Sequence, residues 1–171
     1  MTTKATRAAT VFLAALAIPV AILGAPLTAS AAAPTEGRMC EYSGVTYCLN
    51  TANFNTYTPV VESNTGTRTI DELQDGTNSW LLVFNGTSGA YPQCVAANNA
   101  GTKVEVKPCF GSSGVYWTRV GTSHADAYKW INQAASRTMG TNFELTGVKN
   151  KGQYELKADG LNGGFQVFII G

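Results

Sequence analysis

Residues 93–117 read QCVAANNAGTKVEVKPCFGSSGVYW, and this stretch decides how the rest of the chain is read. Cys94 and Cys109 bracket a polar turn at Asn98–Thr102. The turn leads into an alternating segment that directs Val104 and Val106 inward and Lys103, Glu105 and Lys107 to water. A second turn, Gly111–Gly114, precedes Trp117. A hairpin, a cysteine pair and one large aromatic side chain make a unit with a single apolar side. Such a unit needs partners of its own kind to cover that side.

Outward from it, strand signals continue in both directions. WLLVF at Trp80–Phe84 is short, aromatic and β-branched between turns, the mark of a buried strand. Val60–Val61, Tyr128–Asn132, Phe143–Leu145 and Tyr154–Leu156 read as further strands, and Asn85-Gly86 as a turn. Only Ala125–Ala135 has mild helical composition, and its Tyr128, Trp130 and Ile131 suit a strand equally well. The fold class is all-β.

Lys4 and Arg7 precede an apolar run, Val11–Leu27, and then small residues with Ala29 and Ala31 in the positions a signal peptidase needs. Residues 1–31 are therefore read as a signal peptide, 32–37 as a frayed leader, and 38–171 as one domain in an extracellular chain with no stable membrane anchor. Cys40, Cys48, Cys94 and Cys109 all follow the cleavage point. An even count in an exported chain implies two disulfides from three connectivities, with the two local pairs, Cys40–Cys48 and Cys94–Cys109, favoured. Wide cysteine spacing and a single histidine, His124, argue against a metal centre, and nothing in the sequence calls for a cofactor.

Without Lys4 and Arg7, the twelve basic residues fall to ten against eleven acidic ones. That balance supplies no basic stripe for a phosphate backbone, so nucleic acid is not an expected partner.

The unit at 93–117 resembles one repeat of the ricin-B-type β-trefoil lectin family, in which Cys-Leu-Asp, a polar turn, a second Cys and Gln-x-Trp recur three times. Cys94 and Cys109 match the cysteines and Val115-Tyr116-Trp117 stands at Gln-x-Trp. Cys48-Leu49-Asn50 matches the start of a first repeat, and Gln166-Val167-Phe168 the end of a third, which has Met139 and Thr141 at the cysteine and aspartate positions. The resemblance implies a β-trefoil with three divergent repeats, about 38–80, 81–117 and 118–171, and a non-catalytic, monomeric carbohydrate-binding protein. Carried over residue by residue, it implies Asn50 as the anchor in repeat one, with Asn53 and Tyr57 nearby. In repeat two, Ala96 replaces the anchoring acid and leaves Asn98 and Asn99. A second resemblance competes at the start of the domain. Cys40-x7-Cys48 followed by Asn53-Phe54-Asn55 is similar to βγ-crystallin-like secreted proteins, some of them protease inhibitors. It implies an extracellular protein as the alternative partner.

Enzymatic chemistry has little footing in the sequence. His124 lies in a polar loop without a nucleophile context, and both thiol pairs are assigned to disulfides. Asp71, Glu72 and Asp75 read as a solvated acidic turn, and Trp80, Trp117, Trp130 and Phe168 as core.

Overall fold

The computed structural model describes residues 35–42, 47–65, 68–87, 91–148, 152–158 and 166–170. The signal peptide expected at 1–31 lies outside them. Thirteen strands are present among the described residues: β1 Thr35–Gly37, β2 Met39–Glu41, β3 Cys48–Thr51, β4 Val60–Ser63, β5 Ile70–Gln74, β6 Trp80–Phe84, β7 Gln93–Ala97, β8 Val104–Pro108, β9 Tyr116–Gly121, β10 Ala127–Asn132, β11 Phe143–Thr146, β12 Glu155–Ala158 and β13 Phe168–Ile170. One short helix, α1 Gln133–Met139, follows β10 directly. The leader expected at 32–37 is in part a strand, because Thr35–Gly37 pairs with Ile70–Glu72.

The strands form one antiparallel sheet whose main path runs β1-β5-β6-β9-β10-β13-β2-β3-β4. Its connectivity has a recurring element. Strands β2, β6 and β10 each hold the first strand of a hairpin, namely β3–β4, β7–β8 and β11–β12. The hairpins touch one another through the bridges Pro59↔Glu105, Lys103↔Glu155 and Val61↔Gln153. Strands β1 and β2, at separate points of the path, are consecutive in the chain, with only Arg38 between them.

Alternation puts one apolar row of each hairpin into a common core. Leu49, Val95 and Leu145 are fully buried, each one residue beyond the position paired to β2, β6 or β10. Trp117, Trp130 and Phe168 lie in the same core. Trp117 Nε1 donates to Val95 O at 2.9 Å, so the one polar atom of that indole is satisfied where burial would otherwise penalise it. Trp80 differs from expectation. It is half-buried, with Arg119 3.8 Å above its ring. A smaller apolar cluster, Leu81, Val83, Ala96 and Val115, packs around Cys94–Cys109 on the other face of β6 and β7.

Both favoured disulfides are present, Cys40–Cys48 and Cys94–Cys109. The first crosses directly paired residues of β2 and β3. The second joins the two ends of the β7–β8 hairpin, 15 residues apart.

The helix starts after Asn132, which is still extended and whose Oδ1 accepts from Ala135 N at 3.0 Å. It stops at Gly140, whose φ of 72° supplies the left-handed cap, with its N–H bonded to Ser136 O. Helical composition at 125–135 thus marks a helix displaced toward the C-terminus, since Tyr128, Trp130 and Ile131 are taken by β10.

Candidate functional site

A hollow of about 310 Å³ lies where the β7–β8 turn, the 111–114 turn and α1 converge. Asn98, Asn99 and Gly101 form one wall, Ser113 and Gly114 the floor, and Ala134, Ala135 and Thr138 the far wall. A second hollow of about 200 Å³ shares Ser113, Gly114 and Ala134 with it and continues past Tyr116, Gln133 and Arg137. Together they make one groove crossing Gly114.

Local chemistry holds this groove open. Gly114 adopts φ +81°, and a Cβ there would lie 2.9 Å from Ala97 O, so only glycine brings the turn this close to β7. Ala97 N donates to Gly114 O at 2.9 Å, and Asn132 Nδ2 donates to the same oxygen at 2.8 Å. Asn132, fully buried, therefore fixes α1 and the 111–114 turn with one side chain. Lys107 performs a similar task from beneath. Its Nζ donates to Ala97 O at 2.8 Å and Asn99 Oδ1 at 3.1 Å, approaches Ser113 O at 3.5 Å, and pairs with Glu105 at 3.3 Å. The expectation that Lys107 faces water is thus corrected: it is 3% exposed, drawn in by backbone carbonyls that an alternation pattern does not register.

The groove's amides are oriented by the same network. Asn98 Oδ1 accepts from Thr102 N and Lys103 N, and Asn99 Oδ1 from Lys107 Nζ. With the oxygens engaged, the two NH₂ groups are the ends left to meet a ligand. Gln133 is held at its nitrogen, which contacts Asn78 O, Ser79 Oγ and Thr118 Oγ1. Tyr116, at the other end, is 37% exposed.

The sequence-derived site residues divide between two places. Asn98 and Asn99 line the groove. Asn50 sits half-buried in β3 opposite Val61, while Asn53 Oδ1 accepts from Asn55 N and Thr58 Oγ1 within its own loop. Tyr57, at φ 71°, projects to solvent, and its N–H is bonded to Val106 O. None of these three lines the groove.

Two charged clusters were not anticipated. Glu72, read as part of a solvated turn, is 4% exposed, and Arg119 Nη1 reaches its Oε2 at 2.8 Å. Arg119 also lies between the Trp80 and Tyr128 rings, and burial raises the Glu72 pKa against the opposing pull of Arg119. A hollow of about 160 Å³ beside them, bordered by Asp126, is therefore lined by a cation already matched by a carboxylate. The second cluster joins Glu41 of β2 to Glu62 of β4, both buried, with the fully buried Tyr154 beside them. A Cβ on Gly147 would collide with Oε1 of Glu41, so the glycine makes room for the acid. Val148 N donates to Glu62. The Glu41 pKa is pushed up to about 8, first by burial and then by the Glu62 charge, against the opposing pull of the Tyr154 hydroxyl. The same surroundings raise the Tyr154 pKa. Burial and the neighbouring Glu62 charge thus favour a proton on Glu41, which would let one carboxyl of the pair donate to the other. The signal for it in the sequence was only that two glutamates occur in strands.

His124 is exposed and stacks on Tyr42 at 4.5 Å between centroids. Among the described residues, no helix is long and apolar enough to cross a membrane.

No protein-family model matches the chain, and no curated protein matches it.

Proposed function

We propose that the chain is a secreted, non-catalytic carbohydrate-binding protein of β-trefoil build, with its ligand held in the groove over Gly114. The observation that carries this is the groove itself. Two outward amides, Asn98 and Asn99, a serine floor and the half-exposed ring of Tyr116 converge on one open polar hollow. Amide donors take sugar hydroxyl oxygens, and an aromatic ring covers the apolar face of a pyranose.

Three features support the trefoil. The strands fall into quartets, 35–74, 80–121 and 127–170, with β1 and β2 taken as one interrupted strand. Each quartet contributes one hairpin, and the three hairpins bridge one another. The path of the sheet has β1 and β2 at separate points although they adjoin in the chain, as in a barrel of six strands cut at Arg38. In this alignment Cys48, Cys94 and Glu144 are equivalent, since they pair with Cys40, Val83 and Ile131. Glu144, ion-paired to Lys129, then stands where Met139 was expected. The boundaries move with it, because Trp80 opens β6 rather than closing repeat one. Paired disulfides and the apolar leader with its cleavage motif support export.

The test is a glycan array with the oxidised protein from residue 32, followed by titration calorimetry on any hit. Asn99→Ala and Tyr116→Ala should each weaken binding about ten-fold or more, and Asn50→Ala should leave it unchanged. Binding lost only with Asn50→Ala would move the site to repeat one. A protein partner is favoured by one separate observation. Tyr91 and Phe110 are 73% and 67% exposed at the corner where Cys109 N meets Pro92 O. Silence across the array, with capture lost in Phe110→Ser, would support that reading.

A further inference from the structure

Resting on the carbohydrate reading, we infer that the ligand is an acidic glycan segment, lying along both hollows with a carboxylate or sulfate group at Arg137. The groove is elongated. Its two hollows, about 310 and 200 Å³, join over Ser113, Gly114 and Ala134, which is room for linked residues rather than one terminal sugar.

The lining chemistry is one-sided. Among the described residues, no Asp or Glu lines either hollow. A neutral sugar offers hydroxyls that donate as well as accept, and a site for it benefits from carboxylates that take those protons. Here the side chains offer mainly donors. The oxygens of Asn98 and Asn99 are committed internally, which leaves their NH₂ groups, and Ser112 and Ser113 add hydroxyls. A donor-rich wall suits a ligand with surplus acceptors.

Arg137 supplies the charge. It lies exposed in the last turn of α1, and among the described residues no carboxylate pairs with it. Its guanidinium fork matches the two oxygens of a carboxylate or sulfate. Lys107, beneath the floor, adds no comparable attraction because Glu105 pairs with it 3.3 Å away. Arg119 is likewise held by Glu72. Among the described residues, Arg137 is thus the cation of this groove that no carboxylate matches, with the Tyr116 ring at the same end.

The experiment is calorimetric titration with three oligosaccharide series of matched length: oligogalacturonates, sulfated galactans and neutral galactans. The expected result is at least ten-fold tighter binding of one acidic series than of the neutral one, increasing with chain length and weakening with salt. Arg137→Gln should bring binding of the acidic series down to the level of the neutral one, with the melting temperature unchanged. Preference for the uronate or for the sulfate series identifies the anion, and either supports the inference. Equal binding of neutral and acidic series, or a preference that persists in Arg137→Gln, overturns it while the carbohydrate reading stands. No binding to any of the three series, together with a silent glycan array, overturns both.

Discussion

Replacing Glu41 by glutamine tests the buried carboxyl pair directly. The folded-state pKa of Glu41 is about 8 against an ordinary 4.5. Between those values the folded protein binds a proton that the unfolded chain has released, so stability falls as pH rises. The contribution is complete below about pH 4.5 and lost as pH passes through 8. At about 1.4 kcal/mol per pH unit, this interval is worth on the order of 5 kcal/mol at most. Rearrangement of Glu62, Tyr154 and the Gly147–Val148 backbone will relieve part of it, which sets a working range of about 2–5 kcal/mol. Glutamine keeps a donor at this position and removes the charge. Urea unfolding at intervals from pH 4 to 9 should therefore show Glu41→Gln close to wild type at pH 4 and several kcal/mol more stable at pH 9. Glu72 also titrates upward, with the same sign, so Glu72→Gln is the control that must not abolish the difference. Parallel pH profiles for wild type and Glu41→Gln would refute a shared proton at this pair.

Three further outcomes follow from the supports of the groove. Lys107→Met leaves the carbonyls of Ala97 and Ser113 and the Asn99 amide without their shared donor, so a loss of about 2–4 kcal/mol is expected in urea unfolding. Asn132→Ala removes a helix cap and a donor to Gly114 O, worth about 2–3 kcal/mol together, while Asn132→Asp should keep the cap but cost at least as much, because it sets a buried carboxylate oxygen against Gly114 O. Paired alanine replacement of Cys94 and Cys109 should cost about 3 kcal/mol in thermal unfolding, slightly more than the same change at Cys40 and Cys48, because the closed loop is 15 rather than 8 residues.

Much of the middle of the chain was legible before any coordinates. Trp80–Phe84 and 93–108 carry strong strand composition, and the cysteines fix where the hairpin begins and ends. The third quartet was harder because α1 occupies Gln133–Met139, so Met139, read as a cysteine position ahead of a strand, lies in the helix instead. Of the proposed binding residues, Asn98 and Asn99 fell in the groove because a polar turn between two strands is a local signal. Tyr116, Gln133 and Arg137 escaped notice because their convergence depends on how α1 lies against the 111–114 turn. Buried charges were invisible for a related reason. Alternation assigns Glu41, Glu62, Glu72 and Lys107 to one face or the other, but each is stabilised by partners from distant strands or by backbone atoms.

The pairing of Met39 with Ile170 has a consequence for engineering. Met39 at the start of β2 lies beside Ile170 at the end of β13, and Thr35 at the start of β1 is four residues before Met39. A short linker can therefore join those ends, and new termini can be opened in the exposed Thr122–Asp126 turn without cutting a ladder. Such a circular permutant would begin with β10 and end with β9. It would keep both disulfides, the two hollows of the groove and every strand pair.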